Sequence, residues 1–175
     1  MSMEYRLIAE NDCIRIRSFI PDDAPLIFAY SQEASTHREL PDEVFDSLRE
    51  TQENLHHFNQ LSEAKKYPMV FCVAEKETDQ PIGHVSLSPI RKDDVEIGYA
   101  IGEAHQGKGY GQMAAALITD WALGEYGLSA LYGIVKECNP ASIRCLEKAG
   151  YELLCQEERN CFGGRYMIRE YRKIR

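Results

Sequence analysis

Three glycines at alternate positions, Gly107, Gly109 and Gly111, stand just behind a short apolar segment and just before a run of helix formers. Few sequence features restrict a fold more tightly. A residue without a Cβ lets backbone N–H groups approach a ligand closely and takes positive φ without strain. The helix that follows leaves its first N–H groups unpaired and carries partial positive charge at that end. Strand, glycine-rich loop and helix in this order make an anion cradle, and Lys108 adds a formal charge. A phosphate or pyrophosphate suits it. The spacing matches neither common phosphate loop: Gln112 stands where a dinucleotide fingerprint needs its third glycine, and the G-x-x-x-x-G-K-[ST] pattern fails as well.

Hydrophobic periodicity supplies the frame around this unit. Residues 14–19 alternate as a first strand, and Pro21, Asp22 and Asp23 start a helix whose apolar face is Leu26, Ile27 and Tyr30. A second helical stretch is expected from about Asp42 to Lys65. Residues 69–74 and 82–87 read as a hairpin across the turn at 78–81, and residues 95–101 as a further strand. The helix behind the glycines presents Met113, Leu117, Ile118 and Trp121 on one face. A strand at 131–135 follows, then a helix capped by Asn139-Pro140 that carries Ile143, Leu146 and Ala149 and stops at Gly150. Strands at 151–155 and 165–174 flank the Gly163-Gly164 turn. This order predicts an α/β chain with a mixed, mostly antiparallel sheet of six to seven strands flanked by about four helices. With no repeat, low-complexity tract or Gly/Ser-rich linker, residues 1–175 are expected to form a single domain.

The run Gln106-Gly107-Lys108-Gly109-Tyr110-Gly111 resembles the Q/R-x-x-G-x-G/A acetyl-coenzyme A signature of the Gcn5-related N-acetyltransferases. About thirty residues on, Asn139 to Tyr151 is similar to that family's second signature, in the form N-x-x-S-x-x-x-x-E-K-x-G-[FY]. This form is most similar to the branch that acetylates the N-terminal amines of ribosomal proteins, with polyamine and small-amine acetyltransferases as relatives. The resemblance implies that acetyl-coenzyme A lies in a splay between the fourth and fifth predicted strands. Its pantetheine arm would pair with the backbone of Tyr99, Ala100 and Ile101, and its pyrophosphate would rest on the amides of Gly107, Lys108, Gly109, Tyr110, Gly111 and Gln112. Asn139 would bond the pantetheine arm, and Ser142 would lie near the thioester sulfur. Asn139-Pro140 is equally explained as an N-cap followed by an N1 proline.

The chemistry implied is attack of a primary amine on the thioester in a ternary complex. An amine with a solution pKa of about 8 to 10.4 must lose a proton first. Glu96, an acidic residue in an apolar strand ten positions before Gln106, is the candidate base. A solvent-facing strand carboxylate is the alternative reading of the same residue. Where many members of the family carry a tyrosine acid, seven residues after the motif's asparagine, this chain has Leu146. Ser142 is the candidate to assist departure of the thiolate. The departure at Leu146 keeps a second reading in play, a non-catalytic acyl-coenzyme A sensor or scaffold on the same fold.

Composition narrows the partners. The net charge is −8, which disfavours nucleic acid and anionic membranes and leaves room for a cationic amine acceptor: a protein N-terminus, a polyamine or a small amine. Residues 1–104 hold 10 Lys+Arg against 20 Asp+Glu, whereas residues 105–175 hold 10 against 8, so the acidic excess lies outside the cofactor half. No apolar run reaches the roughly 20 residues of a membrane span, and residues 1–11 lack a signal-peptide core; a cytoplasmic location is expected. The six cysteines are scattered without metal-ligand spacing, and no metal is expected. His56 and His57 are adjacent on a helix and share no face. His84 reads either as a bonded core residue or as an acceptor contact. The acceptor pocket is expected from the first two helices and the last hairpin, and a homodimer is compatible with the chain. The basic C-terminal end (Arg165, Arg169, Arg172, Lys173 and Arg175) reads as a solvated strand face.

Overall fold

Alternation along the central strands produces two cores. The computed structural model describes residues 5–161 and 163–175. Within β3 (Met69–Glu75) and β4 (Pro81–Pro89), Met69, Phe71, Val73, Val85 and Leu87 point to one face of the sheet. There they meet α4 (Tyr110–Leu123) and α5 (Pro140–Lys148). Cys72 and Ala74 point to the other face, against Ile27 of α1 (Ala24–Ser31) and Leu55 of α3 (Leu48–Glu63). Period-two burial thus places one core on each face of the sheet.

The remaining elements are β1 (Leu7–Glu10), β2 (Ile14–Arg17), α2 (Ala34–Glu39), β5 (Val95–Ile101), β6 (Ala130–Lys136), β7 (Glu152–Cys161) and β8 (Gly164–Ile174). Among the described residues the sheet has eight strands in the order β1-β2-β3-β4-β5-β6-β8-β7. Every neighbouring pair is antiparallel except β5–β6. The mixed, mostly antiparallel sheet expected from the sequence is therefore the architecture, with one strand more than the element order predicts. That strand is β1, four residues long and too short to show a period. The N-terminal reading of residues 1–11 falls partly on residues 1–4, which lie outside the described residues.

Two helical boundaries differ from the periodicity. The stretch expected from Asp42 begins instead at Leu48, because Ser47 caps the helix by accepting from the Glu50 N–H at 3.1 Å. Glu50 closes the motif by accepting from the Asp46 N–H at 2.6 Å. Upstream, α2 and a 3-10 turn at Pro41–Glu43 occupy residues that carry no apolar stripe and bury none of their own members. Asp23, expected to serve only the helix end, is buried and grips the fully buried Arg17 with two bonds, at 2.8 and 3.0 Å. On α4 the close approach to the sheet is made by Ala114, Ala115, Ile118 and Ala122, while Met113, Leu117 and Trp121 are only partly buried.

Candidate active site

The parallel pair is where the sheet opens. β5 and β6 pair at a single register, Glu96 opposite Tyr132, and no further ladder joins them. Beyond that point β5 from Ile97 to Ile101 has no strand partner on the β6 side, so the alternate N–H and C=O groups that do not bond β4 face the split and need partners there. Gln106 satisfies one, its Nε2 donating to the Ile101 carbonyl at 2.9 Å. The glycine loop lies at the mouth of the split. Gly107 and Gly109 take φ of +76° and +83°, and Gly109 is the N-cap of α4 with no side-chain cap. A Cβ on Gly107 would meet nothing within 4 Å, so the loop's outer side is open to a ligand. Lys108 is exposed beside it. Tyr110 turns its hydroxyl away to Glu75 Oε1, 3.2 Å distant, which leaves its backbone as the part near the cradle. Gly111 sits over Ile101, Tyr99 and Cys145 at ordinary contact distance.

The second signature faces the same split from α5. Asn139 caps that helix, its Oδ1 accepting from the Ser142 N–H at 3.1 Å, as the capping interpretation requires. Its Nδ2 amide has no partner among the described residues and remains able to donate to a ligand. The Ser142 hydroxyl is 2.9 Å from the Tyr99 hydroxyl, which is also 3.0 Å from the Ser142 carbonyl oxygen. Burial pushes the Tyr99 phenol up, so it stays protonated. Leu146, at the position where a tyrosine is usual, is 2% exposed and packs into the space left by Gly133 on β6. A Cβ on Gly133 would come within 2.6 Å of it. This leucine is core.

Glu96 points to the other face of β5. Burial, reinforced by the nearby Glu170 carboxylate, pushes its carboxyl up to about 7. Its neighbour across β4 is Ser88, and Gly98 lies against the Ser86 hydroxyl. Both serines line a cavity of about 260 Å³ on the α1 and α3 face, bounded by Ala100 and Ile101 of β5 and by Gly102. Glu96 is not itself in the cavity wall; Ser88, opposite it on β4, is. Another wall carries His84, whose Nε2 is 2.8 Å from Glu43 Oε2. Burial opposes charge on both groups, but their mutual attraction prevails, holding the imidazole above and the carboxyl below their ordinary values. His84 is thus an ion-pair partner in the cavity wall.

The cavity departs from expectation in one respect. It is lined by α1, α2, α3, the 3-10 turn, strands β3 to β5 and the loops beside them, and among the described residues hairpin β7–β8 contributes nothing to it. Tyr166 of β8 instead stacks under the Lys136 ammonium, 4.6 Å from the ring centroid, and Lys136 reaches Glu39 of α2 at 3.7 Å. Much of the acidic excess is likewise engaged. Glu10 pairs with Arg15, Asp23 and Asp79 with Arg17, and Asp94 with Arg91. In the basic C-terminal end, Arg165 and Arg169 meet Glu158 and Glu137. His56 bonds Gln60 along its helix at 3.1 Å. All six cysteines are free, and among the described residues no group of three His, Cys, Asp or Glu side chains converges as a metal site. Among those residues no helix is long and apolar enough to cross a membrane.

A mixed sheet split at its one parallel pair, with an amide cradle at the mouth, defines a class of α/β protein. A family model for the acetyltransferase (GNAT) domain matches residues 14–152. The uncharacterized protein YkkB of Bacillus subtilis is 33% identical over 97 residues, 53% of this chain and 56% of YkkB, so the match spans little more than half of that relative. The uncharacterized N-acetyltransferase p20 of Bacillus licheniformis is 23% identical over 141 residues, 79% of each chain. RimL, the ribosomal L7/L12 alpha-N-protein acetyltransferase, was solved in complex with coenzyme A. It superposes with a TM-score of 0.81 at 15% identity over 97% of this chain and 98% of its own, a likeness of fold. The chain belongs to the GNAT family of acetyltransferases.

Proposed function

We propose that this chain is a single-domain N-acetyltransferase that moves an acetyl group from acetyl-coenzyme A to a primary amine by direct attack in a ternary complex. The observation that carries this reading is the split between β5 and β6 with the Gly107–Gly109 cradle at its mouth. The free backbone of residues 97–101 suits the amide-bearing pantetheine arm, and the loop amides with Lys108 suit the pyrophosphate. Asn139 Nδ2 adds a donor along the arm. RimL, a structural neighbour, binds coenzyme A and acts on a protein α-amine, which supports an amine as acceptor.

The residues divide the proton work between the two faces of β5. On the acceptor face Glu96, poised at about 7, takes the ammonium proton through the Ser86 and Ser88 side of the cavity or through water. The neutral nitrogen forms the C–N bond, and negative charge developing on the carbonyl oxygen is met by a β5 amide. As the C–S bond breaks, the sulfur leaves on the cofactor face. There the Ser142 hydroxyl bonds the departing thiolate, which takes up the proton that the acetylated nitrogen must shed, with Tyr99 holding the serine hydroxyl. A thiol pKa of about 8.5 makes this departure undemanding, so a leucine at 146 is compatible with catalysis.

The test is thiol release on mixing acetyl-coenzyme A with an amine panel of spermidine, small amines and peptides bearing N-terminal Ser or Ala. Release matched by N-acetylated product supports the reading. Tight binding of acetyl-coenzyme A with no amine consumed would instead establish a sensor or scaffold.

A further inference from the structure

The cavity beside β5 restricts which amine the reaction can take. Four aromatic rings stand in its walls: Phe19 after β2, Tyr30 on α1, Phe45 before α3 and Phe58 on α3. Phe19 and Phe58 stand 6.5 Å apart between centroids, tilted at 43°. Tyr30 is fixed at the inner end, its hydroxyl donating to the Pro81 carbonyl at 2.9 Å and its ring pressed on Gly102, where a Cβ would come within 2.6 Å. The cavity therefore abuts the strand along which the thioester is proposed to lie. Its volume is about 260 Å³. An apolar cavity of about 150 Å³ accepts benzene, and pockets for drug-sized ligands begin near 300 Å³, so a ring with a short arm matches this space.

Charge and backbone at the cavity suit a single ammonium. Three carboxylates border it: Glu33, which accepts from the Glu103 N–H at 2.8 Å, Glu43, which holds His84, and the exposed Asp42. With Glu43 matched by His84, two carboxylates are left for a cation. β3 and β4 are paired on both edges, so a peptide backbone could add to the sheet floor only at the β5 split, which the pantetheine arm is proposed to take.

We propose that the acceptor is a compact monoamine with a ring-bearing apolar body, the body lying among the four rings of the cavity and the amino group facing residues 100–102 at the end of β5. This rests on the N-acetyltransferase reading above, and the experiment separates the two. With the full chain and acetyl-coenzyme A, thiol release is measured with 2-phenylethylamine, spermidine and peptides bearing N-terminal Ser or Ala. The ring amine is expected to show kcat/KM about tenfold or more above the others. Phe58→Ala is expected to raise KM for the ring amine about tenfold while leaving KM for acetyl-coenzyme A unchanged. Phe45→Leu gives the same split in smaller measure should Phe58→Ala fold poorly. Preference for spermidine or a peptide overturns the choice of acceptor alone, as does a Phe58 or Phe45 substitution that moves both KM values alike. Binding of acetyl-coenzyme A without turnover of any amine overturns the enzymatic reading and the acceptor together.

Discussion

The Tyr99 hydroxyl lies 2.9 Å from the Ser142 hydroxyl, joining the cofactor strand to the helix of the second signature. The serine is thereby held against the side of the split where the thiol is proposed to depart. Ser142→Ala is expected to lower kcat about tenfold to a hundredfold at saturating acetyl-coenzyme A. Tyr99→Phe, which keeps the ring and removes one bond, should lower it about fivefold. The effects should not add: Tyr99→Phe in the Ser142→Ala background should change kcat little, because the tyrosine acts through the serine. Steady-state kinetics of the four proteins check this, and an unchanged kcat in Ser142→Ala would remove Ser142 from the mechanism.

Glu96 gives a pH signature. As the base it must be ionised, so kcat/KM is expected to fall as pH drops through about 7. Glu96→Gln should lower the rate at pH 8 about a hundredfold and abolish that acid limb. Stability moves the opposite way. The folded carboxyl ionises near 7 against 4.5 for the ordinary group, so the fold disfavours its charged form. Wild type therefore loses stability as pH rises through that interval, and Glu96→Gln should be more stable by about 1–3 kcal/mol at pH 8 and equal to it at pH 4. Urea denaturation at the two pH values measures the difference.

Leu146 and Gly133 are matched in size. Gly133→Ala places a methyl against Leu146 and is expected to destabilise the fold by about 1–3 kcal/mol, with part of the loss recovered in Gly133→Ala/Leu146→Ala. Leu146→Tyr, which restores the residue common in the family, should lower stability without raising kcat, since the side chain enters the core rather than the split. Thermal melts and turnover of the same samples decide it.

Arg17 is fully buried, and Asp23 is its two-bonded partner. Asp23→Ala leaves a guanidinium without its buried counter-charge and is expected to cost about 3–5 kcal/mol. Replacing both residues with apolar ones, Arg17→Met/Asp23→Leu, should be much milder. Denaturant midpoints test this, and equal losses for the two variants would contradict it.

The cofactor side of the site was readable because it is local in sequence. A glycine loop before a helix, and an asparagine before a proline, each define their backbone geometry within a few residues. The long periodic helices and alternating strands were readable for the same reason. What escaped was non-local or too short for a period. β1 has four residues, and α2 has no apolar stripe. The Asp23–Arg17 and Glu43–His84 pairs join residues whose meeting depends on the fold, so no spacing announces them. The Tyr99 hydroxyl was missed because tyrosine in a strand reads as core. The cavity on the α1 and α3 face was not legible because its wall is assembled from many separate segments, from Phe19 to Gly102.

Direct transfer is tested best by initial rates with acetyl-coenzyme A and amine both varied. Attack in a ternary complex gives double-reciprocal lines that intersect, with no acetylated enzyme when the amine is omitted. Cys145, which sits against Gly111 beside the split, is the thiol placed to carry an acetyl group by the other route. Parallel lines, with Cys145 found acetylated in the absence of amine, would contradict direct transfer.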